Sequence, residues 1–369
     1  MSVIGARRPA WERLPLLVLG FVALFAGVGA GLARLGWMVP DIASGAAAWH
    51  GPLMVCGFFG VVIALERAVA IGRLWAYAAP LLAGLGTATL LHGQVAAAPW
   101  FMLLASVVLL AGSLHVLNRQ RELFMAVIAL AAGCWTVGAA LWVAGWAVHE
   151  LIGWWLSFLV LTIAGERLEL SRFMPPSRTA ERVFVAVVVL LLLALLGWRQ
   201  PWGAPLYGAG LLALAGWLLR QDIARRTVRQ RGLTRFIAVC LLSGYFWLAV
   251  AGGVMLAFGL EPGSRAYDAA LHTLTLGFVF AMVFGHAPVI FPAVLRVAVP
   301  YHPMFYAPLL LLHASLLLRV VGDAAGNFDW TRWGALLSAV ALLAFIANTA
   351  LAVVRGRFAS ARGAGLATR

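Results

Sequence analysis

The stretch AAWHGPLMVCGFFGVVIALE, residues 47–66, decides the fold class. His50 near its start and Glu66 at its end are its ionisable groups apart from the thiol of Cys56. A helix rising 1.5 Å per residue needs about 20 apolar residues to cross the hydrocarbon of a bilayer. Backbone amides there must bond to one another, which selects helices for such runs. Working outward, eleven more runs of this kind give twelve spans, at roughly 14–35, 47–66, 74–93, 97–117, 123–146, 150–166, 183–198, 204–219, 236–259, 268–291, 303–321 and 332–354. The composition of the 369 residues agrees: 63% hydrophobic, 11% charged, mean hydropathy +0.96. A soluble domain is about a quarter charged. A soluble globular protein, a nucleic-acid binder and a disordered regulator are therefore excluded. The reading is an all-α polytopic membrane protein, a single integral domain over 1–369.

Orientation follows from the basic residues, all 27 of which are Arg. With the N-terminus in the cytoplasm, 22 of them fall on inside segments and five outside, at Arg34, Arg199, Arg265, Arg319 and Arg332. Positive charge is retained inside, so both termini are expected in the cytoplasm of a multi-pass bacterial inner-membrane protein. The net charge of +14 then reflects topology, and the basic 220–235 loop faces anionic lipid rather than nucleic acid. Cys56, Cys134 and Cys240 sit in apolar runs without Cys-x-x-Cys spacing, which encodes neither a disulfide framework nor a zinc site.

Taken four at a time, the spans form a weak repeat, roughly 14–117, 123–219 and 236–354. The second span of each unit carries a histidine at its outer end: His50, His149 and His272. Ionisable groups at membrane depth are expensive and mark candidate sites. His50 and His272, at matched depth on different helices, can ligate one haem iron from opposite faces of the porphyrin. At helical spacing Met54, Gly57 and Val61 share the His50 face, with Gly57 admitting the flat ring close to the backbone. Leu276, Val279 and Val283 share the face of His272. Arg319 and Arg34, on the leaflet where Arg is disfavoured, are candidates for the two propionates. The alternatives are snorkelling to lipid phosphates, or for Arg319 a pair with Asp323. His286 and His302 flank a stretch with Pro288, Pro292, Pro300 and Pro303 that should break the helix. With His313 they make a possible second metal site, open to copper, zinc or iron alike. Hydrogen bonds to carbonyls freed near the prolines are the plainer alternative. Glu66-Arg67 and Glu166-Arg167 are read as ion pairs at inner helix ends.

The segments WHGPLMVCGF around His50 and HTLTLGFVFAM around His272 resemble the two histidine segments of NnrS-type membrane proteins. Those are twelve-helix bacterial haem- and copper-containing proteins associated with nitric oxide metabolism. More distantly, the arrangement is similar to subunit I of haem-copper oxidases, with three four-helix arcs. The resemblance implies low-spin haem b held by His50 and His272, a propionate contact at Arg319, possible copper, and a redox partner protein. The chain departs from the oxidases: span 7 has no His, and span 6 only His149 at its end. The oxygen-reducing centre is absent in that form, and oxidase activity is not implied. The GHAPVIFP segment points to a sister subfamily. The expected function is haem-based membrane electron transfer or nitric oxide response. The rival is a proton-coupled secondary transporter, against which stands the placement of every carboxylate at a span end or in a loop.

Overall fold

The computed structural model describes residues 10–170 and 177–367; Arg7, Arg8, Arg172 and Arg369, which the orientation argument counts, lie outside them. Regular structure among the described residues is helical, without strands. Twelve long helices follow in order: α1 (Trp11–Arg34), α2 (Ala47–Ile71), α3 (Leu74–Leu91), α4 (Ala98–Arg119), α5 (Leu123–Val143), α6 (Val148–Leu170), α7 (Arg178–Leu196), α8 (Gly203–Gln221), α9 (Gly232–Phe258), α10 (Arg265–Leu295), α11 (Pro303–Ala325) and α12 (Phe328–Ala367).

Eleven of these are long and apolar enough to cross a membrane. The other is α8, whose 19 residues include four glycines, Pro205 and Tyr207, and which is less apolar than the rest. Its composition answers a packing need. A Cβ on Gly208 would lie 2.5 Å from the carbonyl oxygen of Gly252, and one on Gly252 2.7 Å from that of Gly208. Helices α8 and α9 thus meet backbone to backbone, the small-residue contact typical of membrane bundles.

Helix ends are set locally. Ser177 caps α7 by accepting from the Ala180 amide, and Ser264 caps α10 by accepting from the Tyr267 amide. Gly72 and Gly326 close α2 and α11 in the left-handed conformation that glycine reaches without strain. The expected break in α10 falls within the proline-bearing run but after its first two prolines. The helix runs through Pro288 and Pro292 to Leu295 and ends where Arg296 turns left-handed, at φ 54°. Each proline removes an N–H and crowds the carbonyl four residues before it, which a membrane helix packed among neighbours tolerates.

Consecutive helices pack side by side, and the second helix of each four-helix unit reaches the centre. There α2, α6 and α10 touch pairwise. Phe58 and Phe59 of α2 meet Phe280 of α10 with ring centroids 5.7 and 5.1 Å apart. Nearer the inner end, Arg67 of α2 pairs with Glu166 of α6 at 3.3 Å, and Arg167 of α6 donates to His286 of α10 at 2.6 Å. The Arg67–Glu166 pair therefore ties two helices together rather than closing a local contact.

Candidate functional site

A cavity of about 460 Å³ opens at the His50 and His272 ends of the central helices, bounded by α1, α2, α6, α10, α11 and α12. His50 and His272 face each other across it. Their rings are 20° from parallel, with centroids 6.2 Å apart. A metal–imidazole bond of about 2 Å, plus roughly 1 Å from nitrogen to ring centre, places two imidazoles bound trans to one metal about 6 Å apart, centroid to centroid. The observed centroid spacing is close to that value.

The second ring nitrogen of each is already engaged. Nδ1 of His50 lies 2.7 Å from the carbonyl oxygen of Gly27, on α1. Nδ1 of His272 lies 2.9 Å from the carbonyl oxygen of Asp268, one turn earlier in α10. A carbonyl only accepts, so Nδ1 carries a proton in both rings, and in the neutral ring Nε2 then presents its lone pair. This is how ligating histidines are commonly oriented. Gly31 of α1 makes room for the His50 ring, since a Cβ there would lie 2.8 Å from its Cε1.

Both histidines precede a π-helical stretch, Leu53–Phe59 in α2 and Thr273–Phe280 in α10. Such widened turns recur at functional sites, and here they rotate the walls of the cavity. Val55 and Phe59 join Met54 below His50, and Thr275, Leu276 and Phe280 lie below His272. Gly57 and Val61, expected on this face, do not line the cavity. A Cβ on Gly57 would instead meet Thr87 Oγ1 at 2.7 Å and Ala23 at 2.9 Å, so this glycine serves the packing of α2 against α1 and α3. On α10, Leu276 lines the cavity as expected, whereas Val279 and Val283 do not.

Arg34 and Arg319 both line the cavity, Arg34 exposed and Arg319 buried. The partner of Arg319 is Asp268, not Asp323: Nε and Nη2 each donate to one carboxylate oxygen at 2.7 Å. The same carboxylate comes within 3.3 Å of His272 Nδ1. Asp268 was missed as a site residue, although its position four before His272 was visible in RAYDAALH. His149, expected only at the interface, is exposed and lines the same cavity.

The remaining histidines do not assemble into a second metal centre. Among the described residues, no group of three or more His, Cys, Asp or Glu is placed to hold a metal ion. His286 donates from Nδ1 to the Met282 carbonyl and accepts from Arg167 at Nε2. His313 accepts from Trp247 at Nδ1, 3.0 Å, and donates to Ser243 from Nε2, 2.9 Å. His302 is exposed and accepts the Met304 amide at the start of α11. Each is held by local partners, and copper or another metal has no three-histidine site at His286, His302 and His313. The cysteines are buried, free and separate.

Residues 13–354 match a protein family described as a domain of unknown function, DUF8744. The chain belongs to that family. The match runs from the start of α1 into α12, so the helices that build the cavity all lie inside the family's domain. No curated protein matches the chain.

Proposed function

We propose that this member of the DUF8744 family is a polytopic protein of the bacterial inner membrane that holds one low-spin haem b between His50 and His272. In this reading it serves electron transfer or nitric oxide handling, as NnrS-type proteins do. The observation that carries the proposal is the pair of near-parallel imidazoles 6.2 Å apart, each anchored through Nδ1. A haem needs only two protein ligands because the porphyrin supplies four nitrogens, so a two-histidine site suffices where a bare ion would need more. The walls suit the ring as well. Met54, Val55, Phe59 and Leu276 are apolar, while Arg34 and Arg319 stand toward the outer side where propionates would emerge. Arg319 keeps Nη1 for such a contact while Nε and Nη2 hold Asp268. His50 and His272 would together hold the group from both sides, which would suit electron transfer to a redox partner protein.

The orientation proposed with it places both termini in the cytoplasm and the cavity on the opposite side. The rival reading, a proton-coupled carrier, draws on the inner contacts of Arg67 with Glu166 and Arg167 with His286, polar groups that bridge the three central helices. The test is a reduced-minus-oxidised visible spectrum of the purified protein with a pyridine haemochrome assay. We expect one haem b per chain with sharp low-spin bands, which both His50→Ala and His272→Ala abolish. A colourless protein from haem-replete cells overturns the haem reading, and uptake in proteoliposomes then becomes the deciding assay.

A further inference from the structure

We infer that the two histidines are unequal ligands: His272 is the fixed one and His50 the one that leaves, so that a small neutral molecule of the diatomic class reaches the metal from the His50 side. The inference rests on the haem reading above and concerns how that site opens.

The inequality lies behind the rings. His272 sits within α10, whose first turn is capped by Ser264. Its Nδ1–H meets both the carbonyl of Asp268 at 2.9 Å and the carboxylate of Asp268 at 3.3 Å. That carboxylate is gripped at two points by Arg319, whose side chain is 8% exposed. A two-point guanidinium–carboxylate pair is strong and fixes direction. A carboxylate behind an imidazole orients it and raises the basicity of its far nitrogen, and losing such a partner weakens metal binding about 10–100-fold. Asp268 and Arg319 are thus positioning residues that strengthen His272 alone.

Behind His50 stands only the neutral carbonyl of Gly27. The residue follows directly on the tight 3-10 turn Ala47–Trp49 with which α2 begins, itself preceded by the short helix Asp41–Ser44, and its ring rests in the notch left by Gly31. No charged group holds it from behind. If haem is bound as proposed, His50 would be the ligand that yields to an external molecule, its metal–nitrogen bond exchanged for one to the incoming ligand with no electron transferred.

The experiment compares His50→Gly with His272→Gly as full-length protein in detergent, using carbon monoxide and free imidazole as probes. We expect His50→Gly to keep its haem, turn high-spin, bind carbon monoxide when reduced, and return to low-spin with added imidazole. His272→Gly should retain at least tenfold less haem under the same conditions. Equal retention, or the reverse ranking, overturns the inference. Should His272→Gly fail to fold, Asp268→Asn decides. It should keep the low-spin spectrum but raise the midpoint potential, because the strengthened imidazole favours the ferric state. A tenfold change corresponds to about 59 mV for one electron, and an unchanged potential overturns the inference. A colourless wild-type protein would instead remove the haem reading beneath it.

Discussion

The residues around His50 show how little space separates a site from a packing contact. A methyl group on Gly31 would sit 2.8 Å from Cε1 and 2.9 Å from Nδ1 of His50. Overpacking of this kind costs roughly 1–3 kcal/mol and moves side chains off their rotamers. Gly31→Ala should therefore displace the ring and, on the haem reading proposed above, diminish the low-spin bands, while Gly133→Ala, with nothing within 4 Å of the added carbon, leaves them intact. A wild-type spectrum in Gly31→Ala would show that the ring does not depend on the notch. Much of the site was legible at this scale, because ionisable groups inside apolar runs are few and depth follows from counting along a helix. His50, His272, Arg34, Met54 and Arg319 were found that way and all line the cavity. Asp268 was not, since a carboxylate at a span end reads as an interfacial residue until its partner is known. The second metal site failed for the opposite reason. His286, His302 and His313 are near in sequence, but partners on α6 and α9 occupy the ring nitrogens of His286 and His313, and no local pattern announces Arg167, Trp247 or Ser243.

At the scale of the element, the period of the helix limited what could be read. Placing Gly57 and Val61 with His50 assumes 3.6 residues per turn. The π-helical stretch Leu53–Phe59 widens the turn and brings Val55 and Phe59 forward instead. Nothing in the apolar run LMVCGFF marks that change. The helix α10 shows a second limit, since its prolines look like breakers but its neighbours hold it. One of those neighbours is α6, joined to α10 through the 2.6 Å contact of Arg167 with His286 Nε2. Because Arg only donates, His286 must present a lone pair there, and its proton sits on Nδ1 against Met282. Removing the donor leaves a buried acceptor without a partner, which costs about 1–3 kcal/mol. Arg167→Met should accordingly lower the thermal midpoint in detergent. Combining it with His286→Leu should recover part of the loss, because both polar groups are then gone. Strict additivity of the two substitutions would mean that the contact does not couple α6 to α10.

For the whole molecule, the side on which the C-terminus lies turns on one helix. Twelve crossings return the chain to the side where it began, and eleven do not, so α8 decides. Its low apolarity comes from Gly208 and its companions, which the close approach to α9 requires, and it packs between α7 and α9. At 1.5 Å per residue its 19 residues span about 28 Å, close to the thickness of the hydrocarbon. The arginines favour a crossing. Six of them lie between Arg220 and Arg235, directly after α8, a load expected on the cytoplasmic side. Of the five that the proposed orientation leaves outside, Arg34 and Arg319 line the cavity, so the site would account for two of the exceptions to the charge rule. Reporter fusions settle the matter in whole cells. Alkaline phosphatase, active only outside, should be active when joined after Pro201 and silent when joined after Arg231. A fluorescent protein that folds only in the cytoplasm should give the converse pattern, and should also fluoresce at the C-terminus. Phosphatase activity after both positions would mean that α8 does not cross. The arginine-rich loop would then lie outside, and the C-terminus would face away from the cytoplasm.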